Sequence, residues 1–250
     1  MIQGLYQSAA GMLTNEYRQS VVANNLANAD TVGFKRDIAT LAERLPAARA
    51  GERNGPSNEA LDALSGGVWL GRTYTDFSPG AFQTTDNPLD LALEGPGFFA
   101  VEKDGQRLYT RDGRIVRDPA GRLLSAADGA AILDEGGRPI VVNPHAPPPF
   151  IDETGALWQN GATVGRVGVF DFEHPGALQK AGASRFSAGE QTPLRVYPGV
   201  RGGHVELSGV QPVSELVSMI EASRAYQLNA QMITLQDQAA GRLITFVASA

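Results

Sequence analysis

Few residues in this chain have the types and spacing that chemistry needs. Gly95, Gly97 and Ala100 satisfy a G-x-G-x-x-A pattern, which binds a dinucleotide only where a helix starts at that turn and points its free N–H groups at the pyrophosphate. The next residues are Phe98-Phe99-Ala100-Val101-Glu102-Lys103 and then Asp104-Gly105. That is a strand running into a hairpin turn, so no nucleotide site is expected. Neither a G-x-x-x-x-G-K-[ST] phosphate loop nor a G-x-S-x-G nucleophile elbow occurs. The three histidines, His145, His174 and His204, each stand beside a proline or glycine, and no two share the i, i+4 spacing of a helical zinc site. Cysteine is absent, which removes disulfides, thiolate metal sites and cysteine nucleophiles together.

Carboxylates are what remains. Asp76, Asp86, Asp90 and Glu94 cluster around expected strand ends, and two converging carboxyl groups can hydrolyse a glycosidic bond. Asp86-Asn87-Pro88 is equally a turn initiator, and Asp before Gly serves hairpins, so capping of turns is the expected role. Neither the EF-hand calcium loop nor a G-G-x-G-x-D repeat is present. The expectation is a protein with no catalytic residue, no cofactor and no metal.

The 250 residues carry 27 acidic and 21 basic side chains, a formal charge of −6. With no clustered basic run, a nucleic-acid partner is not expected, because phosphate neutralisation needs clustered Lys and Arg. Hydrophobic residues make up 42%, enough for a core, while the charged fraction of 19% lies below the roughly 25% usual for soluble domains, as if part of the surface were covered in use. The 29 glycines and 15 prolines exceed the average of roughly 12% and predict many turns between short strands. No apolar run reaches the about 18 residues of a membrane-spanning helix, so direct membrane insertion is not expected. The first cation is Arg18, whereas a secretory signal peptide needs a basic start; if the protein leaves the cytoplasm, another route is expected.

Two kinds of element must position whatever these residues do. From 2 to 28 there is no proline, and Leu5, Ala9, Met12, Leu13, Tyr17, Val21 and Val22 recur mostly at three- and four-residue steps, which predicts an amphipathic helix stopped by Asp30, Thr31 and Gly33. After Gly209 and Pro212 a second helix is expected, with Ser214 as N-cap. One seam along it reads Met219, Ala222, Tyr226, Asn229, Ile233, Gln236, Ala240, Leu243, Val247, and another reads Ala225, Leu228, Met232, Leu235, Ala239, Arg242, Phe246. Two partly apolar seams exceed what one partner helix covers, which favours self-assembly over simple pairing of the two ends within the chain. Between the helices, turn signals at Asp104-Gly105, Asp112-Gly113, Pro119 to Gly121, Asp128-Gly129 and Gly136-Gly137 separate short runs, as successive antiparallel hairpins do. The expected fold class is α+β: terminal helices forming a coiled-coil-like assembly domain, and a central, mainly antiparallel β domain. The expected divisions are 1–44, a connector at 45–67, the β domain at 68–206, and 207–250.

Three stretches go beyond composition. Val22-Ala23-Asn24-Asn25-Leu26-Ala27-Asn28-Ala29-Asp30-Thr31-Val32-Gly33-Phe34-Lys35 resembles the A-N-N-L-A-N-x-x-T-x-G-F-K signature of axial proteins of the bacterial flagellum. Asn87-Pro88-Leu89-Asp90-Leu91-Ala92-Leu93, Gly95 to Phe99, and Tyr109-Thr110-Arg111-Asp112-Gly113 are similar to the N-P-L-D-x-A, G-x-G-F-F and Y-T-R-x-G blocks of that group. Met219-Ile220-Glu221-Ala222-Ser223-Arg224-Ala225-Tyr226 resembles its M-I-x-x-x-R-A-Y block. The three stand in the family's order.

Because hook proteins of the group are usually longer, the resemblance implies a subunit of the flagellar basal-body rod. Gly4-Leu5-Tyr6 and the run from Arg224 to Asp237 are most similar to the proximal-rod type. The distal-rod type is the alternative, although it more often carries S-N-V and Q-R-A-Y where Ser208-Gly209-Val210 and Ser223-Arg224-Ala225-Tyr226 stand here. The family's function would then be to polymerise with itself and with other proximal- and distal-rod subunits into a hollow helical shaft that transmits torque, the terminal helices forming the inner tube and the β domain facing outward. Export through the flagellar type III apparatus, without a cleaved signal peptide, is implied as well. The residues expected at the assembly interface are Leu5, Met12, Asn24, Asn25, Leu26, Asn28, Gly33, Phe34, Met219, Ile220, Arg224, Tyr226, Ile233 and Leu243. The asparagine amides would bond across subunits, Gly33 would turn the chain and Phe34 anchor it, and Arg224 and Tyr226 would fix a helix crossing. A glycan hydrolase built on the Asp76–Glu94 carboxylates is the competing class.

Overall fold

A computed structural model describes residues 2–43, 45 and 67–248. Of the connector expected at 45–67, all but the two end residues lies outside the described residues. The chain forms two compact units. One holds Met1–Ala27, Asp37–Tyr74 and Gln211–Ala250, the other Asn28–Arg36 and Thr75–Val210. These divisions differ from the sequence-based ones in giving the residues just after the first helix to the β-rich unit and those from Asp37 to Tyr74 to the helical unit.

The helical unit is built on α1 (Ile2–Ala27) and α2 (Pro212–Ala248). Helix α2 begins two residues before the Ser214 cap expected from sequence, with Pro212 at a first-turn position where its missing N–H costs no intrahelical bond. The helices run antiparallel: a Cβ added to Gly4 would stand 3.1 Å from Gln236 Nε2, and one on Gly11 would stand 2.9 Å from Asn229 Oδ1. Farther along, Arg18 Nη2 lies 3.6 Å from Glu221 Oε2, and Asn25 Nδ2 donates to Glu215 Oε2 at 3.4 Å. A two-stranded ribbon of β1 (Asp37–Glu43) and β2 (Val68–Thr75) lies along α1. Tyr17 Oη bonds Thr73 Oγ1, and the Asn25 amide both donates to Asp37 O and accepts from Asp37 N. The sequence turn signals foresaw the β domain but not this ribbon.

In the β-rich unit the main sheet has nine strands among the described residues, and β5 (Phe98–Lys103) and β6 (Gln106–Thr110) lie at its centre. The hairpin between them turns at Asp104 and Gly105, with φ of 53° and 74°, the positive pair a two-residue turn of this hand requires. Strand β5 is buried on both faces, and its period of two sorts its side chains between two cores. Phe99 and Val101 join the aliphatic core of Leu91, Leu93, Ile115, Leu123 and Ile132. Phe98 and Ala100 join an aromatic core of Tyr109, Phe170, Phe172 and Phe186, where Tyr109 and Phe172 meet edge to face with ring centroids 4.8 Å apart. The Asp112-Gly113 pair, read from sequence as a turn signal, is instead a close contact: a Cβ on Gly113 would stand 1.8 Å from Leu91 O. Gly95 and Gly97 precede a strand, as the sequence predicts, so the helix a pyrophosphate needs is not there.

A smaller sheet of β10 (Phe150–Ile151), β11 (Ala156–Gln159) and β12 (Ala162–Arg166) is held at its turn by Asp152. Burial alone would raise this carboxyl, but hydrogen bonds from Thr154, from Trp158 Nε1 and from the Ala156 backbone outweigh it and hold the group at about 2. Its native value lies below the ordinary 3.8, so its contribution is full above that ordinary value and is lost as pH falls toward about 2. In a Trp69→Phe background, Trp158 fluorescence is expected to change over that acid window together with a fall in melting temperature. Asp152→Ala should lower the melting temperature at neutral pH and abolish the acid-dependent part.

Candidate assembly interface

The two seams read from the sequence of α2 have different fates. Met219, Tyr226, Asn229, Ile233, Gln236 and Ala240 of the first are half-buried and Ala222 is fully buried, on the side that meets α1. The second seam is largely exposed: Leu228 is 61% exposed, Met232 48% and Leu235 58%. On α1 the stripe that meets α2 carries Gly4, Ser8, Gly11, Arg18 and Asn25, whereas Leu5, Tyr6, Leu13 and Tyr17 are exposed. Pairing of the helices within the chain thus encloses mostly small and polar groups and turns much of the apolar surface outward.

The expected interface residues divide between the units. Leu5, Ile220, Arg224 and Leu243 are exposed on the helices, as is Asn24, while Met12, Leu26, Met219, Tyr226 and Ile233 are half-buried. Asn25 is buried, its amide bonded to Asp37 and Glu215 of its own chain. Asn28, Gly33 and Phe34 belong to the β-rich unit, where Asn28 takes hydrogen bonds from Thr31. The φ of Gly33 is +66°, and a Cβ there would stand 2.4 Å from Asp112 N, so only glycine fits. Phe34 is buried beneath Lys180, whose ammonium lies 4.4 Å from the ring centroid and also donates to Lys35 O.

Next to Phe34 lies a constellation only partly legible in the sequence. Lys35 and Glu206 are each 1% exposed, with Nζ 2.5 Å from Oε1. The same Oε1 accepts from Gly80 N at 2.8 Å, and Oε2 faces Arg111 Nη1 at 3.4 Å. Lys35 Nζ also donates to Ser78 O, Arg111 Nη2 to Gly95 O, and Gly33 N to Glu206 O. Burial pushes the Lys35 ammonium and the Arg111 guanidinium below their ordinary values, and in both the charge of Glu206 opposes that shift. Lys35 and Arg111 both lie in family blocks and were visible as such. Glu206 stood outside every block, and its only signal was a carboxylate at the end of the short strand β18 (His204–Glu206).

Three of the four carboxylates that raised hydrolysis are tied to partners. Asp90 accepts from Thr85 Oγ1 and Asn87 Nδ2, Asp76 from Ser78 and Arg36, and Glu94 pairs with Arg201. A cleft of about 860 Å³ is lined by Glu94, Phe150, Asp152, Glu153, Arg201 and His204, and hydrogen bonds hold its Asp152 carboxyl below the ordinary value, the opposite of what a general acid needs. Among the described residues no cluster could hold a metal, and no helix is long and apolar enough to cross a membrane.

The polar groups described above are tied up in hydrogen bonds and ion pairs, and the helices carry exposed apolar side chains. Known proteins say what kind of chain this is. Residues 5–35 match the family model described as flagella basal body rod protein, 92–158 the flagellar hook protein FlgE/F/G D1 domain, and 201–246 the flagellar basal body rod FlgEFG protein C-terminal. The flagellar basal-body rod protein FlgF of Caulobacter vibrioides is 34% identical over 236 residues, 93% of each chain. FlgG of the same bacterium is 29% identical over 95% of this chain and 96% of its own, and FlgG of Buchnera aphidicola is 31% identical over 95% and 97%. The chain belongs to the flagellar basal-body rod protein family, whose members are structural and not enzymatic, and it is a component of the flagellum basal body.

The Glu206 cluster gives a direct test. Glu206→Ala removes the buried carboxylate that Lys35 and Arg111 share, leaving only the more distant charges of Asp76 and Asp171, a change that costs about 3–5 kcal/mol. A urea titration should show that loss as a lower midpoint, and an unchanged midpoint would mean the cluster does not hold the Gly33–Lys35 segment.

Proposed function

We propose that this chain is a proximal-rod subunit. Its α1–α2 unit polymerises, in a coiled-coil-like arrangement, with other copies and with the proximal- and distal-rod subunits to form the wall of a hollow helical shaft. The shaft transmits torque and encloses the channel through which later subunits travel. The chain itself reaches its place through the flagellar type III export apparatus, without a cleaved signal peptide. The observation that carries the reading is the exposed second seam of α2, Leu228, Met232 and Leu235, on a helix whose first seam from Met219 to Ala240 faces α1. The interface residues proposed on this unit are Leu5, Met12, Asn24, Leu26, Met219, Ile220, Arg224, Tyr226, Ile233 and Leu243. The proximal position rests on the resemblance of Gly4-Leu5-Tyr6 and of the run from Arg224 to Asp237 to that subtype.

Helices that bury little of their apolar surface alone gain order when partners cover it. Circular dichroism of the isolated subunit and of the polymer should show helical content rising on assembly. Equal content in both states, with glycan turnover lost in Asp86→Asn, would favour the hydrolase class instead. Ile233→Pro removes a backbone donor in mid-helix and should destabilise α2 by about 3 kcal/mol or more; cells carrying it should be non-motile in soft agar. Density for this chain in a cryo-EM map of isolated basal bodies should lie in the proximal part of the rod, and density confined to the distal part would reverse that assignment.

A further inference from the structure

Small and polar side chains make a poor ratchet. The stripe of α1 that meets α2 offers Gly4, Ser8 and Gly11 to Gln236 and Asn229, and such a surface does not interlock as apolar knobs in holes do. The Arg18–Glu221 ion pair has side chains 38% and 61% exposed, so it adds little that would resist sliding. One contact is of another kind. Asn25 is 1% exposed and Glu215 6%, and Asn25 Nδ2 donates both to Glu215 Oε2 and to Asp37 O, while Asn25 Oδ1 accepts from Asp37 N. The two bonds to the β1 backbone fix which way the amide points. Its donor side then faces a carboxylate in the first turn of α2, where the helix dipole favours negative charge.

We infer that Asn25 is the register pin of the helix pair: by holding Glu215 it selects one alignment of α1 against α2 among those the small polar seam would otherwise tolerate. Sliding α2 by one turn takes Glu215 away from the amide and leaves one buried Asn25 N–H without its acceptor. A single polar contact inside a helix pair sets register in this way because alternatives that lose it are penalised, even where the contact adds little stability of its own. Asn25 acts through the alignment of the helices and is a positioning residue. The consequence for the chain is that the apolar residues left open on the two helices are presented in one fixed pattern.

The absence of cysteine makes this measurable. A Gly11→Cys, Asn229→Cys chain reports the observed register, since these positions are in contact; a Gly11→Cys, Ile233→Cys chain reports a slip of one turn. Both are oxidised as the full chain, free and in isolated basal bodies, and intrachain disulfides are quantified by peptide mass spectrometry. In the otherwise natural sequence the 11/229 disulfide should exceed the 11/233 disulfide by at least about fivefold, given the cost of leaving buried polar groups unpaired. Adding Asn25→Ala should bring the ratio toward one, with helical content retained. Glu215→Gln keeps an acceptor oxygen and should preserve the preference, while Glu215→Ala should lose it. The pin is overturned if Asn25→Ala keeps the preference, if the 11/229 disulfide fails to form in the natural background, or if Asn25→Ala and Glu215→Ala abolish both disulfides, which would make the contact a requirement for folding and not for alignment.

Discussion

A carboxylate shut away from water must be satisfied from every side, and the β-rich unit is arranged around one that is. Glu206 draws Lys35 from 171 residues away and Arg111 from 95 residues away, and its backbone carbonyl takes the Gly33 N–H. Two positive groups and one negative one are buried together, so each needs the others, and the backbone carbonyls of Ser78 and Gly95 accept further hydrogen bonds from the two cations. Much else depends on this cluster. Gly33 must be glycine because the chain is pulled against Asp112, Phe34 is carried under Lys180, and Gly209 N can reach Phe34 O. The segment just after α1 and the segment just before α2 are thereby fastened within one unit.

The helical unit is organised the opposite way. Its internal seam is narrow and partly polar, and its broad apolar surfaces are outside, so its stability as a separate body rests on few buried contacts. Such an arrangement suits a part that completes its packing against neighbours, and it leaves the β-rich unit, with its two dense cores, to fold on local hairpins whose turns are written in the sequence.

What the sequence made legible depends on the range of the interactions concerned. Strand β5, the Asp104-Gly105 turn, the two helices and both seams of α2 are set by neighbours a few residues apart, and all could be read from residue type and period. The family blocks told where important residues lie but not what they touch. Asn25 was expected to bond across subunits, and in the structure it bonds Asp37 and Glu215 of its own chain. Asp112-Gly113 looked like a turn because a turn signal and a glycine pressed against a backbone carbonyl have the same spelling. Glu206 and the β1–β2 ribbon escaped because each depends on partners far along the chain, which neither periodicity nor turn chemistry records.

The boundaries between the units fall after Ala27, Arg36, Tyr74 and Val210, so the backbone passes from one unit to the other four times. Most two-part chains are joined by a single tether, and any pull between the parts is borne by that one peptide. Here four covalent connections join the two units. The consequence lies in connectivity: a cut at any one of these crossings leaves three covalent links between the units.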